Sequence, residues 1–437
     1  MTESAVIHKF GGSCLRDASD VDHIADVLND SEGPPIVVVS ALWGTTDRLM
    51  RAAKEPRYAG RLVDDLAKHH LRFSPQLVNS PLYDVFSKVL EGIETSLTLL
   101  AERHHDTSAY NQLLAAGERL SALVIAHALS ERGFPAHPLG AEDIGLHLNG
   151  TGFAKTVDME RSAQHLDREA FEGVPVVTGW FGEGFDGSIA LLGRGGSDHT
   201  ATALAALLHA QKVILWKDVI GIHPINPRWG VPSTPISYLG YSEAIEFANT
   251  DANILHPATV EPVYALGIPI EIRHLSGYQK SGLRTVIGPD IEVHQTIKGI
   301  GCVPKVAYIE ANVHYVQDAA ITLSNIIATL DRDDIRICSF ETQPSVWRFI
   351  VLQQDVHRTQ TILSTVASNI TTTYYAAMLS FIGSQDAEVL KTSMLNSGVW
   401  DNNPLHLTPF AAHMLTQRMD LSKMLESLMS ALTVNRP

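Results

Sequence analysis

Glycine, arginine and aspartate stand together in one short stretch, LLGRGGSDHTAT, at residues 191–202. An alanine-rich helical pattern follows over residues 201–210. A glycine-rich turn that opens a helix presents backbone N–H groups at the positive end of the helix dipole, and such a turn can bind an anion. Arg194 adds a planar guanidinium that suits a carboxylate. Asp198 would repel an anion unless it orients a cation, so a partner lysine is expected elsewhere in the chain.

The N-terminus supplies such a lysine. A short apolar run leads to Lys9, and Gly11, Gly12 and Ser13 follow it. The pattern predicts a buried strand, a glycine turn and a helix around residues 21–28. Glycines let the backbone approach phosphate oxygens, and the end of a parallel strand is the usual place for a residue that faces a ligand. On this motif alone, a plain strand and turn with a solvated lysine explains the pattern equally well.

The elements that must position these residues are continuous apolar runs separated by helical patterns. The runs lie at residues 35–40, 174–178, 188–192, 212–216 and 268–273. Runs of this kind are typical of strands covered on both faces. Strand–helix–strand alternation predicts an α/β fold with a mainly parallel sheet and ligands at the carboxyl ends of the strands.

One helical pattern, at residues 112–129, carries an anomaly. Glu118 interrupts an otherwise apolar stretch. A glutamate in a buried helix usually caps or pairs with a neighbour, and that interpretation is favoured without further context. It could instead bind the ammonium group of a substrate.

The pattern changes after about residue 295. Runs at residues 307–311, 335–339 and 346–352, with a helical pattern at 319–330, predict a small β-α-β-β unit. A helix over residues 356–370, an apolar patch at 375–382 and a helical C-terminus at 420–432 suggest a second, less regular unit. No glycine-rich anion site occurs there, which points to a regulatory or oligomer-forming region.

Composition excludes several classes of function. The 437 residues carry 33 basic and 48 acidic side chains, a formal charge of −15, which argues against broad nucleic-acid binding. Cys14, Cys302 and Cys338 fit neither a disulfide framework nor clustered metal spacing, so a reducing cytosol is expected. No signal peptide is expected, nor any apolar run near the ~18 residues that a membrane span needs. We therefore expect a cytoplasmic protein.

Taken together, these motifs resemble an aspartate kinase of the amino-acid kinase superfamily, in collinear order over roughly residues 5–275. The pairing of KFGG at 9–12 with LGRGGSD at 192–198 is the most specific part of the match. The resemblance implies an αβα sandwich with a mainly parallel central sheet as the catalytic domain at residues 1–275. It also implies a connector at 276–300 and tandem α+β ACT-like domains at 301–437 for regulation and dimerisation.

The resemblance implies phosphoryl transfer from ATP, with Mg²⁺, to the side-chain carboxylate of L-aspartate. By this match Lys9 stabilises charge on the transferring phosphoryl group, and Asp198 orients and balances Lys9. Arg194 would bind the α-carboxylate of the amino acid and Glu118 its ammonium group. The residues implied on the acceptor side are Thr46, Glu118, Arg194, Gly195 and Ser197. Those implied on the nucleotide side are Gly11, Gly12, Ser13, Lys217, Asp218, His223, Arg228 and Asn253. No side chain is assigned to a metal.

Several positions depart from the family pattern. Cys14 replaces a hydroxyl, Trp180 stands where phenylalanine is usual, and Asn253 stands where a lysine normally reaches the ATP phosphates. Lys217 replaces a usual threonine and is a candidate substitute for that missing cation. His223 and Asn226 replace a usual tyrosine and aspartate.

These departures keep two alternatives open. The first is a kinase for a different amino-acid carboxylate, and the second is a non-catalytic homologue that binds an amino acid. In either case we expect a homodimer through the C-terminal region, with an amino-acid effector as an open question. No nucleic-acid or membrane partner is expected.

Overall fold

A computed structural model gives two compact units, each with its own sheet. The first unit comprises Met1–Ile222, Pro235–Ala244 and Leu255–Asp290, and the second His223–Thr234, Ile245–Ile254 and Ile291–Pro437. Within them the structure describes residues 4–55, 58–103, 105–150, 153–154, 156–250, 254–276, 282–291, 297–313, 319–383, 405–417 and 420–426.

The first unit is organised around an eight-stranded sheet. Its strands, and those of a small three-stranded sheet, are in chain order β1 (Val6–Phe10), β2 (Pro35–Val39), β3 (Ala136–Leu139), β4 (Phe153–Ala154), β5 (Val174–Thr178), β6 (Phe181–Glu183), β7 (Ile189–Leu192), β8 (Lys212–Lys217), β9 (Tyr238–Gly240), β10 (Ile270–His274) and β11 (Thr285–Gly288). The large sheet has the order β3-β5-β2-β1-β8-β10-β11-β9, and the small one β4-β7-β6. All neighbours from β3 to β10 are parallel, and β11 runs antiparallel to β10. The predicted mainly parallel sheet is confirmed.

Helices connect these strands. They are α1 (Asp20–Asn29), α2 (Thr45–Lys54), α3 (Leu62–Leu71), α4 (Leu82–Glu102), α5 (Thr107–Ser130), α6 (Met159–His165), α7 (Gly196–Leu208), α8 (Tyr241–Ala248) and α9 (Glu261–Tyr264).

Helices cover both faces of the large sheet, as the continuous apolar strands require. Val6 and Phe10 of β1 belong to one core cluster with side chains of α1 and α5. Lys9 points to the opposite face, because successive side chains of a strand alternate, and it meets Asp198 of α7 there. This layering of helix, sheet and helix is the predicted αβα sandwich.

Helix α5 is long and apolar enough to cross a membrane, although no such segment was expected from the sequence. By length and composition it is the one candidate among the described residues, and 83% of its most apolar window is buried inside the fold. Burial of this extent is typical of a core helix.

The second unit is built on an antiparallel sheet. Its strands are β12 (Ile297–Val313), β13 (Ile337–Gln343), β14 (Val346–Leu352), β15 (Ala367–Gly383), β16 (Leu405–Leu407) and β17 (Ala411–Thr416), and its further helices are α10 (Ala319–Arg332) and α11 (Val356–Leu363). The sheet order is β13-β14-β12-β15-β17-β16. The predicted β-α-β-β unit is confirmed, and the α+β pattern is consistent with ACT-like domains.

The helix predicted over residues 356–370 is wrong in its second half. Helix α11 ends at Leu363, and β15 begins at Ala367 and pairs with β12 along nearly its whole length. Residues 370–373 are isoleucine and three threonines, whose β-branched side chains suit a strand. Of the C-terminal helix predicted at 420–432, only residues 420–426 lie within the described residues, and 421–426 are helical.

The predicted connector at residues 276–300 is more structured than expected. Its middle forms β11, which lies in the large sheet, and its end begins β12. Two short segments before it, at 223–234 and 245–254, belong to the second unit. Contacts made across the chain, which sequence pattern does not register, decide these assignments.

Candidate active site

A cavity of about 580 Å³ opens in the first unit at the carboxyl ends of β1, β2 and β7. It lies where ligands bind in parallel sheets. Nine of the predicted site residues line it: Lys9, Gly12, Ser13, Thr46, Glu118, Arg194, Gly195, Ser197 and Asp198. These residues come from distant parts of the sequence, and the sheet order brings them together.

Lys9 is a buried cation at the centre of this group. It lies on β1, is 6% exposed, and its Nζ is 2.7 Å from Oδ1 of Asp198. A Cβ added to Gly11 would lie 3.4 Å from the same Nζ, so the glycine keeps the space beside the amine open. The end of β1 therefore presents a lysine ammonium, and the turn after it presents a side-chain-free backbone to the same point.

Asp198 holds a second lysine as well. Lys217, at the end of β8, donates to Oδ2 of Asp198 at 2.8 Å. Burial opposes ionisation of Asp198, but the charges of Lys217 and Lys9 outweigh it and hold the pKa of Asp198 well below its usual range. Burial lowers the pKa of Lys9, Asp198 raises it and Lys217 lowers it further. One carboxylate thus serves two cations at this point.

The glycine turn before α7 has the backbone shape that the sequence predicts. Gly195 adopts φ +78° as the N-cap of α7, and its Cβ position is 2.6 Å from the Cβ of His256, so only glycine fits there. Arg194 lines the cavity and is exposed. No acid within the described part of the chain pairs with Arg194, so its guanidinium is available to a ligand.

Glu118 is buried and only half satisfied. It is 3% exposed, its Oε1 accepts the backbone N–H of Ala41 at 3.2 Å, and its Oε2 has no partner among the described residues. Burial raises the pKa of Glu118 to about 8. A ligand ammonium beside Oε2 would reverse that shift, since an adjacent cation favours the ionised carboxylate.

Three hydroxyl side chains and a strained tryptophan also line the cavity. Ser40 donates to Ser197 at 3.0 Å, and Thr46 lies in the first turn of α2. Trp180 lines the same cavity with φ +73°, a left-handed conformation that is rare for a bulky residue. Its backbone N–H donates to Oγ1 of Thr200, which belongs to α7. Strain of this kind concentrates at functional sites.

The predicted nucleotide residues divide between the two units. Asp218 is exposed in the first unit and pairs with Arg16 at 3.4 Å. His223 and Arg228 belong to the second unit, where His223 Nδ1 lies 3.0 Å from Ser233 Oγ. Arg228 is exposed on a short 3-10 helix. Asn253 lies outside the described residues.

Sequence reasoning left several lining residues unassigned. Ser40 and Trp43 follow the carboxyl end of β2, Asp47 lies in the first turn of α2, and all three line the cavity. The rule that ligands bind at such ends would have selected them. Arg16 stacks on Trp43, with its Cζ 4.6 Å from the ring centre, and nothing in the local pattern of the sequence marks it.

The charged side chains of this cavity can bind two kinds of ligand. Lys9 and the glycine turns can neutralise a phosphate, while Arg194 and Glu118 can hold a molecule that bears both a carboxylate and an ammonium group. None of these groups has the geometry of an activated nucleophile. The site therefore fits transfer between two bound substrates.

The sequence is similar to known kinases. The profile of the Amino acid kinase family matches residues 4–274. Aspartokinase 1 of Arabidopsis thaliana is 30% identical over 283 residues, 61% of this chain and 49% of that protein. The aspartokinase of Bacillus sp. (strain MGA3) is 26% identical over 407 residues, 91% of this chain and 85% of that protein. The chain thus spans about half the length of the Arabidopsis relative.

Solved structures extend the likeness to the fold. Escherichia coli aspartokinase III, solved in complex with aspartate and ADP, superposes with a TM-score of 0.80 at 22% identity. That match covers 98% of this chain and 100% of the other. The family profile covers more than half of the sequence. On these grounds, the chain belongs to the Amino acid kinase family.

Proposed function

We propose that this protein is an aspartate kinase that transfers the γ-phosphoryl group of ATP to the side-chain carboxylate of L-aspartate. The products are 4-phospho-L-aspartate and ADP. The observation that carries the proposal is the Lys9–Asp198 pair in one cavity with Arg194 and Oε2 of Glu118. Among the described residues, no acid pairs with Arg194 and Oε2 of Glu118 has no partner. Aspartokinase relatives, and the E. coli structure that holds aspartate and ADP, support the choice of substrates.

The amino acid is bound at both of its α-substituents. Arg194 forms a forked ion pair with the α-carboxylate, and Glu118 takes the ammonium through Oε2. Thr46, Gly195 and Ser197 lie on the same wall and add hydrogen bonds. This orientation directs the side-chain carboxylate of aspartate toward Lys9.

The chemical step needs no base from the protein, since the attacking carboxylate is already ionised. One carboxylate oxygen forms a bond to the γ-phosphorus while the bond from that phosphorus to the β,γ-bridging oxygen breaks, and ADP leaves. Lys9, with the N–H groups of Gly11, Gly12 and Ser13, neutralises charge on the transferring oxygens. Catalysis then consists of positioning and electrostatic stabilisation.

Nucleotide contacts are proposed for Lys217, Asp218, His223, Arg228 and Asn253, as the resemblance implies. Mg²⁺ is proposed to arrive on the ATP phosphates. Asp198 is the buried carboxylate nearest Lys9, and both of its oxygens face lysines, so it is not free to bind a cation. When bound, Mg²⁺ supplies charge neutralisation between the phosphates.

The test is ATP turnover with hydroxylamine trapping of the acyl phosphate, across aspartate, glutamate and related acids. We expect aspartate-dependent hydroxamate, abolished by Lys9→Ala and retained by Lys54→Ala, which removes an exposed lysine. A clear preference for another acid would identify that acid, and not aspartate, as the phosphoryl acceptor. Trp180 and Cys14 motivate that alternative.

A non-catalytic amino-acid-binding homologue is the second candidate, motivated by His223, Asn226 and Asn253. It predicts calorimetric binding of an amino acid without ATP turnover under any condition. The two results separate the candidates, because only the kinase forms hydroxamate.

For the second unit we propose paired ACT-like domains that form a homodimer and could bind an amino-acid effector. Large exposed side chains support the interface: Ile321, Phe340 and Tyr374 are 63%, 43% and 56% exposed. Light scattering of the intact chain tests it, and a monomer would contradict it. Cys14, Cys302 and Cys338 are free thiols, which supports the proposal of a cytoplasmic location.

A further inference from the structure

A second cavity in the first unit, of about 460 Å³, is concentrated in positive charge. We call it the cationic cavity, and it is lined by Arg48, Arg51, Tyr58, Leu62, Asp65, Lys68, His69 and Arg72. Arg48 and Arg51 lie on α2, Lys68 lies on α3, and Arg72 is the C-cap residue of α3. Four lining side chains are cations and one, Asp65, is an anion.

Three of these four cations have no acidic partner in the part of the chain that the structure describes. Within the described residues, no carboxylate forms an ion pair with Arg48, Lys68 or Arg72. The chain carries 48 acidic residues against 33 basic ones, so the lack of partners does not reflect a shortage of acids. Like charges close together repel, and a bound anion would relieve that repulsion.

Two further features indicate that the cavity is prepared for a ligand. The Cζ atom of Arg51 stacks 3.6 Å from the ring centre of Tyr58, which fixes the guanidinium against the wall. Nε2 of His69 is buried without a hydrogen-bond partner among the described residues. Burial, then the charges of Arg48 and Arg72, lowers the pKa of His69, so both guanidinium groups act on this imidazole.

We propose that the cationic cavity binds a compact polyanion that carries two or three linked phosphate groups. Arginine guanidinium groups match phosphate oxygens in pairs, and four cations require a ligand of high charge density. The cavity volume lies in the range of small-molecule sites. A single carboxylate brings too little charge to balance the cluster.

The cationic cavity shares helix α2 with the cavity around Lys9 and Asp198, which we call the central cavity. Thr46 and Asp47, in the first turn of α2, line the central cavity, and Arg48 and Arg51 follow on the same helix. An anion bound by side chains of both α2 and α3 would limit the motion of α2, which is only ten residues long. Binding therefore stiffens the helix that presents Thr46.

The first experiment locates the ligand by arginine modification. Phenylglyoxal labelling with peptide mass spectrometry is run with tripolyphosphate, and with NaCl at matched ionic strength. We expect tripolyphosphate to protect Arg48 and Arg72 at least tenfold more than NaCl does, while exposed Arg103 stays unprotected. Equal protection by NaCl, or protection only by phosphatidylglycerol vesicles, would overturn the proposal.

The second experiment uses matched variants. Hydrogen exchange of residues 45–54 is expected to slow with tripolyphosphate in the wild type and in Arg103→Ala/Arg332→Ala, which removes two exposed arginines elsewhere. It should not slow in Arg48→Ala/Arg72→Ala. Unchanged exchange in the wild type despite protection would refute the stiffening of α2. Neither experiment uses ATP or aspartate, so their outcome is independent of the proposed kinase activity.

Discussion

Lys217 Nζ lies 2.8 Å from Oδ2 of Asp198, while Lys9 Nζ contacts the other oxygen, Oδ1, at 2.7 Å. The two lysines come from the neighbouring strands β1 and β8, where Phe10 pairs with Trp216. The buried ammonium group of Lys9 and the part-buried one of Lys217 therefore share one carboxylate, and the trio carries one net positive charge. The lysine at position 217 thus places a second cation beside the proposed phosphoryl site.

Replacing Lys217 by threonine should slow phosphoryl transfer by about tenfold or more, since one stabilising charge is lost from a buried site. It should also raise the pKa of Lys9, because Lys217 lowers that pKa, and shift the basic limb of the kcat profile to higher pH. Steady-state kinetics from pH 6 to 10 measure both effects, with Lys54→Thr as the matched control. Unchanged ATP KM and kcat in Lys217→Thr would rule out a role for this lysine.

Asp198→Asn should destabilise the first unit by about 3–5 kcal/mol, because it leaves the buried Lys9 and the part-buried Lys217 without their counter-charge. Asp198→Asn/Lys217→Met should recover part of that loss, since only one ammonium group then remains. In the wild type, the depressed pKa of Asp198 gives stability that is present above pH 3.8 and lost as pH falls below it. Urea unfolding of the three proteins at pH 7 measures the difference, and equal stability of the two variants would contradict it.

Glu118 should make stability fall with rising pH. Its pKa is raised from 4.5 to about 8 in the fold, so its contribution is complete below pH 4.5 and is lost as pH rises toward 8. Glu118→Gln should remove that slope. Chemical unfolding at pH 5, 6, 7 and 8 measures it, and an unchanged slope in the variant would assign the effect to other groups.

Aspartate binding should release a proton at pH 7 through the same residue. The ligand ammonium beside Oε2 lowers the pKa of Glu118, and the protonated carboxyl group must then ionise. Calorimetry in two buffers of different ionisation enthalpy detects the proton. Glu118→Gln should bind aspartate without release, and release that persists in the variant would exclude Glu118 as its source.

Trp180→Ala should shift the acceptor preference toward longer acids. Trp180 lines the central cavity, and loss of its ring leaves more room for a longer side chain. The ratio of kcat/KM for glutamate to that for aspartate is expected to rise several-fold. Trp43→Ala, at a second tryptophan that lines the cavity but is 53% exposed, serves as the control. Equal ratios in both variants would indicate that Trp180 does not set specificity.

Local patterns predicted the elements of the first unit well. Strand β5 has the predicted bounds, and β8 differs from its predicted run at 212–216 by one residue, because hydrophobic periodicity and strand ends are local properties of the chain. The helix predicted to residue 370 was wrong, since pairing with β12 favoured a strand over local helical periodicity.

The sequence by itself determined the motifs: the lysine at the end of β1, the glycine turn with its arginine and aspartate, and the buried glutamate. Only the tertiary structure decided their partners. The contact of Lys217 with Asp198 depends on β8 lying beside β1, some 200 residues away in the chain. The cationic cavity depends likewise on how α2 and α3 meet. Charge pairing is a property of distance in space, and the order of strands and helices sets that distance.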